Sequence, residues 1–249
     1  MGFFDRFPLF YETSQTSPQP HRLNGRYDAI IAPHQEALAG RRILDIGSHD
    51  GRWAFAALHA GAAHITGIEP RPALVGHALR TFAHYGVDEA RYRFLQGDVF
   101  ALLDGTDRFD VVLCLGFFYH TIRHAELLDR IERSGARLVV LDTEVTPAAE
   151  ERPERPPGDD RLVHGNPYVI QLLRDPVGDE RMACADRLAR DGHTLVGRPS
   201  RAAVALLARH FGFALARHDW GAYLQHHGER SAALADYRDG WRETFTLRR

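Results

Sequence analysis

A chain of 249 residues, 44% hydrophobic and 26% charged, is long enough to bury one sizeable α/β core and has the balance of a folded globular protein, which excludes a disordered or fibrous chain. A formal net charge of −2 supplies no positive field that would gather nucleic acid, and no apolar stretch reaches bilayer-spanning length, so nucleic-acid and membrane partners are disfavoured and a cytoplasmic location is expected. All 31 basic residues are arginine, which removes lysine chemistry, and the two cysteines, Cys114 and Cys184, lack the spacing of a disulfide frame or a zinc ribbon.

Residues 1–40 read as an N-terminal cover, aromatic and proline-bearing over 1–20 and helical over 22–38. Residues 41–249 read as the main domain. From 41 to 142, short apolar runs alternate with amphipathic stretches of helical length, the pattern of a parallel sheet with crossover helices. Strands are predicted over 42–46, 64–69, 92–96, 109–115 and 137–142, and helices over 52–60 and 72–85, the second opened by Pro72 and closed by Gly86. The Pro-, Glu-, Asp- and Arg-rich stretch 146–160 reads as a mobile loop opening a substrate-side insertion of helices and loops over about 146–196. Ser200 then caps a predicted helix over 201–210, and strands at 213–218 and 243–247 close the domain as an antiparallel pair.

The turn after the first predicted strand reads Asp45-Ile46-Gly47-Ser48-His49-Asp50-Gly51, and glycine there lets the backbone approach a ligand without a Cβ clash. This run resembles motif I of the class I S-adenosylmethionine-dependent methyltransferases, D-x-G-x-x-x-G. The resemblance implies S-adenosylmethionine as cofactor, with Gly47, Ser48 and Gly51 against its methionine moiety and Asp45 orienting the loop and the cofactor amine. Glu69 ends the second strand 22 positions beyond Gly47 (69 − 47), where a carboxylate can accept from both ribose hydroxyls, and Pro70 follows it. Gly97-Asp98-Val99 resembles the family's adenine site, in which Asp98 accepts from the exocyclic amine. A dinucleotide-binding loop would need glycine at position 49, where this chain has histidine. The implied fold is α/β, Rossmann-like: a seven-stranded, mostly parallel sheet with an antiparallel last strand and an inserted lid.

Ligands of open parallel sheets sit outside the carboxyl ends of the strands, so the acceptor should face the end of strand four, Leu115-Gly116-Phe117-Phe118-Tyr119-His120. Leu115 is counted with the cofactor contacts, and His120 is the candidate base because its intrinsic pKa is near neutral. The run is similar to that of small-molecule methyltransferases and of the tRNA wobble-uridine modification group. Asp142 and Glu144, two residues apart after strand five, are candidate hard-oxygen ligands for Mg2+ beside a sugar diol. Arg26 and Tyr27 are within reach of the cofactor carboxylate, and His164, Asn166, Tyr168, Trp220, Tyr223 and His226 are candidates to line an acceptor pocket. The expected activity is O-methylation of a small polar acceptor, a sugar or oligosaccharide hydroxyl. The chain as a whole, including the Gly197-Arg198-Pro199-Ser200 run, resembles actinobacterial sugar and small-molecule O-methyltransferases, the methylmannose polysaccharide group among them. The alternatives are a tRNA wobble-uridine modifying enzyme and a non-catalytic cofactor-binding module; homodimer formation is left open.

Overall fold

The computed structural model describes residues 1–13, 20–103, 106–146, 168–174, 188–228 and 232–249. Nine strands, β1 Arg42–Ile46, β2 His64–Glu69, β3 Tyr92–Gln96, β4 Val111–Leu115, β5 Leu138–Glu144, β6 Tyr168–Arg174, β7 His193–Pro199, β8 Ala214–Arg217 and β9 Arg242–Arg248, are found among the described residues. The helices are α1 Leu9–Glu12, α2 Pro20–Ile30, α3 Gln35–Leu38, α4 Arg52–His59, α5 Pro72–His84, α6 Val99–Leu102, α7 His124–Arg133, α8 Arg201–His210, α9 Trp220–His226 and α10 Ala235–Arg238. Seven strands form one sheet in the order β3-β2-β1-β4-β5-β9-β8, in which only β9 runs antiparallel to its neighbours. The seven-stranded, mostly parallel sheet and its antiparallel last strand are therefore as expected. No helix among the described residues is long and apolar enough to cross a membrane.

Alternation along each strand feeds two cores. Ile43, Val111, Leu113, Leu138 and Val140 pack on one face with Trp53 and Phe55 of α4 and with Phe3, Phe4, Phe10 and Leu23 from the N-terminal residues. Leu44, Ile46, Val112, Val139 and Leu141 pack on the other with Leu127, Leu128 and Ile131 of α7 and Val204 of α8. Each such large side chain contributes roughly 1.5–3 kcal/mol by leaving water. Asp45 and Asp142 share the face of Ile43 and Val140, so the residues at their carboxyl ends look toward the N-terminal segment.

The predicted 22–38 helix is broken. It divides into α2, a 3-10 turn at Ala32–His34 and α3, because Pro33 cannot donate a backbone hydrogen bond and its ring crowds the preceding turn. The insertion, read as helices and loops, instead contains the antiparallel pair β6–β7, with Tyr168 opposite Pro199 and Leu172 opposite Leu195. His164, Asn166, Cys184 and the segment 147–160 lie outside the described residues. At the other end of β7, the Ser200 side chain accepts from the Ala203 amide and caps α8 as expected.

Candidate active site

The turn from β1 into α4 is held by three left-handed residues, Gly47 at φ +66°, His49 at +54° and Gly51 at +78°. His49 adopts that region at a cost on the order of 1 kcal/mol, and its amide is repaid by donating to Glu69 Oε2 at 3.0 Å. The Ser48 amide donates to the Ile68 carbonyl at 3.0 Å, tying the turn to β2. A Cβ on Gly47 would lie 3.1 Å from Cβ of Phe117, so the turn touches the segment after β4. Gly51 is also required by packing: a Cβ there would meet the rings of Phe94 and Phe82 at 2.8 and 2.9 Å. Its glycine identity therefore also serves close packing of the turn against Phe82 of α5 and Phe94 of β3.

Three carboxylates reach the carboxyl edge from β1, β2 and the end of β3. Asp45 is 1% exposed and neither of its oxygens has a hydrogen-bond partner; burial, with Asp50 and Glu69 nearby, raises its pKa well above the usual carboxylate range despite the adjacent Ala54 amide. A buried carboxylate without a partner is costly, and a ligand cation removes the cost. Ser48 Oγ is likewise buried and unpartnered. Glu69 accepts from the His49 amide and from Arg71 Nε at 2.5 Å. Pro70, half-buried, lies between them. Asp98 accepts from the Phe100 amide at 2.9 Å and caps α6, with Val99 buried beside it and Arg123 Nη1 3.8 Å from its second oxygen. Arg123 lies 3.6 Å over the Phe100 ring and pairs with Glu126 at 2.6 Å. The donor set would suit S-adenosylmethionine, with the unpartnered Asp45 carboxyl available to its amine, Glu69 to its ribose and Asp98 to its adenine. When bound, such a cofactor supplies an activated methyl group on a cationic sulfur.

Sequence reasoning missed the brace under this turn. Asp50 is fully buried between Arg52 Nε at 2.7 Å, His49 and the Thr13 hydroxyl; burial would raise its pKa, but Arg52 and His49 hold its carboxyl well below the usual range. The aspartate-arginine pair two residues apart was the available signal.

The other half of the edge is lined by arginine. Gly116 takes φ +110° after β4, its amide donates to the Asp142 carbonyl at 2.9 Å, and a Cβ there would stand 3.4 Å from Arg242 Nη2. Arg242 also lies 5.1 Å from the Tyr119 ring centre. Leu115 is buried in the core beneath this point. His120 follows in a 3-10 turn; burial, then the charges of Arg242, Arg71 and Arg198, push its pKa down to about 4, so it is neutral at pH 7.

The expected metal pair is not one. Asp142 is completely buried, and its Oδ1 accepts from Arg26 Nη2 at 2.9 Å and Arg242 Nε at 2.8 Å while Oδ2 accepts from Tyr237 at 2.8 Å and Thr244 at 2.7 Å. Glu144 pairs with Arg198 at 2.6 Å and lies 3.8 Å from Arg242. A divalent cation would have to displace guanidinium groups from both carboxylates, so these residues do not fit Mg2+; burial alone would raise the Asp142 pKa, yet Arg26 and Arg242 hold it at about 2. No cluster of three or more metal-ligating side chains occurs among the described residues.

Other candidates are placed elsewhere. Tyr27 stacks on Phe3 at 4.2 Å. Trp220 is 4% exposed, stacks on Tyr237 at 3.8 Å and donates to Thr244 at 3.1 Å; Tyr223 bonds Asp28, and His226 is on the exposed end of α9. Tyr168 donates its hydroxyl to His124 Nδ1, while His124 Nε2 donates to the Phe118 carbonyl at 2.7 Å and the Gly197 amide to Thr121 at 3.1 Å. These bonds lay β6–β7 against the turn that carries His120.

Residues 43–136 match the family described as "Methyltransferase domain". A tRNA U34 carboxymethyltransferase of Cellvibrio japonicus is 32% identical over 126 residues, 48% of this chain and 37% of that protein. This chain spans about a third of the length of the curated relatives it matches, so their whole activity is not transferred with the match. Among solved structures, the N-terminal domain of EvdMO1, determined with SAH and D-fucose, matches at a TM-score of 0.58 and 18% identity over 93% of this chain and 84% of that one. An S-adenosylmethionine-dependent methyltransferase from Mesorhizobium loti matches at 0.53 and 16% identity over 87% and 96%. At these identities the structural matches speak for the fold, while the family match covers the strand-end acids and their turn and makes residues 43–136 similar to a methyltransferase domain.

Proposed function

We propose that this chain alkylates an acidic oxygen, of the kind a modified uridine ring presents, and that its arginine-lined edge also suits a carboxymethyl group on the donor. The carrying observation is His120 beside Arg242, Arg71 and Arg198. A histidine whose pKa is pushed down to about 4 is a weak base for an aliphatic sugar hydroxyl, whereas the same arginines stabilise an oxygen that ionises readily. The sugar reading also loses its supports, because Asp142 is occupied by arginine and Trp220 is packed in the core. The names of the curated relatives, tRNA U34 carboxymethyltransferases, point the same way.

In the reaction the acceptor oxygen attacks the transferred carbon in line, a carbon–oxygen bond forms, the carbon–sulfur bond breaks, and its electron pair returns to sulfur to leave a neutral thioether. His120 takes the acceptor's residual proton or orients the oxygen. The test incubates the protein with bulk tRNA and, separately, a sugar panel, each with S-adenosylmethionine and with its S-carboxymethyl counterpart, followed by nucleoside and sugar mass spectrometry. A mass gain on uridine, lost in Arg242→Gln, is expected. Transfer to sugars alone overturns the proposal, and binding without turnover on any acceptor returns the chain to a cofactor-binding module.

A further inference from the structure

Arg26 is a buried cation with no role in the chemistry above. It rises from α2 with its side chain 12% exposed, donates Nη2 to Asp142 at 2.9 Å, lies 4.9 Å from the Trp53 ring centre, and has its Nε buried without a partner. Trp53 belongs to the first turn of α4, and the next residue, Ala54, carries the amide beside the orphaned Asp45 carboxylate. A buried acid with no cation and a buried guanidinium with an open donor therefore converge on one helical turn.

The strand register supports the same convergence. Asp45 is opposite Leu113, which is opposite Val140, and Asp142 follows two residues along the same face. The two acids are thus about 12 Å apart from strand spacing and rise, and Arg26, bonded to one and lying over the neighbour of the other, spans the gap. Charge points to the missing group. Arg26, Arg242 and Arg198 face Asp142 and Glu144, three cations to two anions, while the buried Asp45 carboxyl has no cation beside it. An α-amino acid zwitterion offers both complements, an ammonium for Asp45 and a carboxylate for Arg26.

We propose that Arg26 is the receptor for the α-carboxylate of the sulfonium cofactor, and that Asp142 is a positioning residue that fixes it while fixing Arg242 toward the chemical end. One carboxylate oxygen shared by two guanidiniums orients both, and the hydroxyls of Tyr237 and Thr244 on the other oxygen keep the carboxylate from turning. The inference rests on the cofactor reading of the site and makes no use of the acceptor.

Calorimetry with S-adenosylhomocysteine and with its decarboxylated analogue tests it. Arg26→Gln should weaken S-adenosylhomocysteine binding by ten-fold or more and leave the analogue within two-fold of the unsubstituted protein. Asp142→Asn should show the same selective loss at a smaller factor, and Arg26→Lys should recover part of the affinity if Asp142→Asn does not fold. Arg22→Gln, one turn earlier on α2 and paired with Asp236 at 2.7 Å, should bind both ligands normally and so controls for the helix. Equal loss of both ligands in Arg26→Gln, or no loss of either, overturns the assignment while leaving the cofactor reading in place. Failure of the unsubstituted protein to bind S-adenosylhomocysteine overturns both.

Discussion

Asp45 and Asp142 are both fully buried strand-end aspartates on one face of one sheet, yet Asp45 has no hydrogen-bond partner and Asp142 has four. Burial raises the pKa of the first; arginine holds the second at about 2 despite burial. The β1–β3 side of the edge is thus acidic and incomplete, prepared for a ligand cation, and the β5–β9 side is a completed ion network with cations in excess. Identical residue types do opposite work because of what the rest of the chain brings to them.

The largest effect expected from breaking this contrast is on turnover. His120→Ala should lower turnover by on the order of 10² while leaving cofactor affinity nearly unchanged, since the side chain belongs to the arginine side. With its pKa at about 4, His120 stays neutral through the physiological range, so the unsubstituted enzyme's rate should lose activity to His120 protonation only as pH falls toward 4. A rate loss centred near 6.5 in a stopped-time assay would show that the arginines do not govern this histidine.

On the acidic side, Glu69→Ala and Asp98→Ala should each weaken S-adenosylhomocysteine binding by about 1–3 kcal/mol in calorimetry, because a ligand donor loses a charged acceptor. Asp98 also caps α6, so Asp98→Asn, which keeps an oxygen for the Phe100 amide, separates loss of the cap from loss of the charge. Unchanged affinity in both alanine variants, with the fold intact, would remove these residues from the cofactor site.

The same contrast explains what the sequence revealed. Asp45, Glu69 and Asp98 each end an apolar strand run and begin a turn, so a reader of local pattern finds them, and the sheet follows from the alternation of such runs with helices. Asp142 and Glu144 were equally visible, but their chemistry depends on Arg26, Arg242 and Tyr237, which are 116, 100 and 95 positions from Asp142. Spacing alone could not distinguish two metal ligands from two arginine acceptors. Non-local pairing also hid β6–β7, where an apolar run at 169–173 among Gly, Pro and His looked like loop until residues 193–199 closed a ladder with it. Gly51 was found for its turn, and its packing role against Phe82 and Phe94 required the helix above it.

The smallest effect concerns His124, whose imidazole holds Tyr168 and therefore the β6–β7 pair beside the arginine side. Burial pushes its pKa down to about 4 against the favourable hydrogen bond to the Phe118 carbonyl, while the unfolded chain keeps a value near 6.5. The folded state then binds fewer protons than the unfolded state between those two values, so the stability that His124 contributes is full above pH 6.5 and is lost as pH falls toward 4. Between pH 8 and pH 6 this one group should lower unfolding stability by roughly 1 kcal/mol, a shift measurable in urea midpoints. His124→Gln retains an amide donor for the Phe118 carbonyl and an oxygen for Tyr168 but does not titrate, so its midpoint should fall less over the same interval. His34, His59, His64, His120 and His218 are also shifted down, burial being the first cause in each, and they leave a residual slope in the variant. An identical slope in the two proteins would mean that His124 has the same pKa folded and unfolded, and that burial against Phe118 and Tyr168 does not govern its protonation.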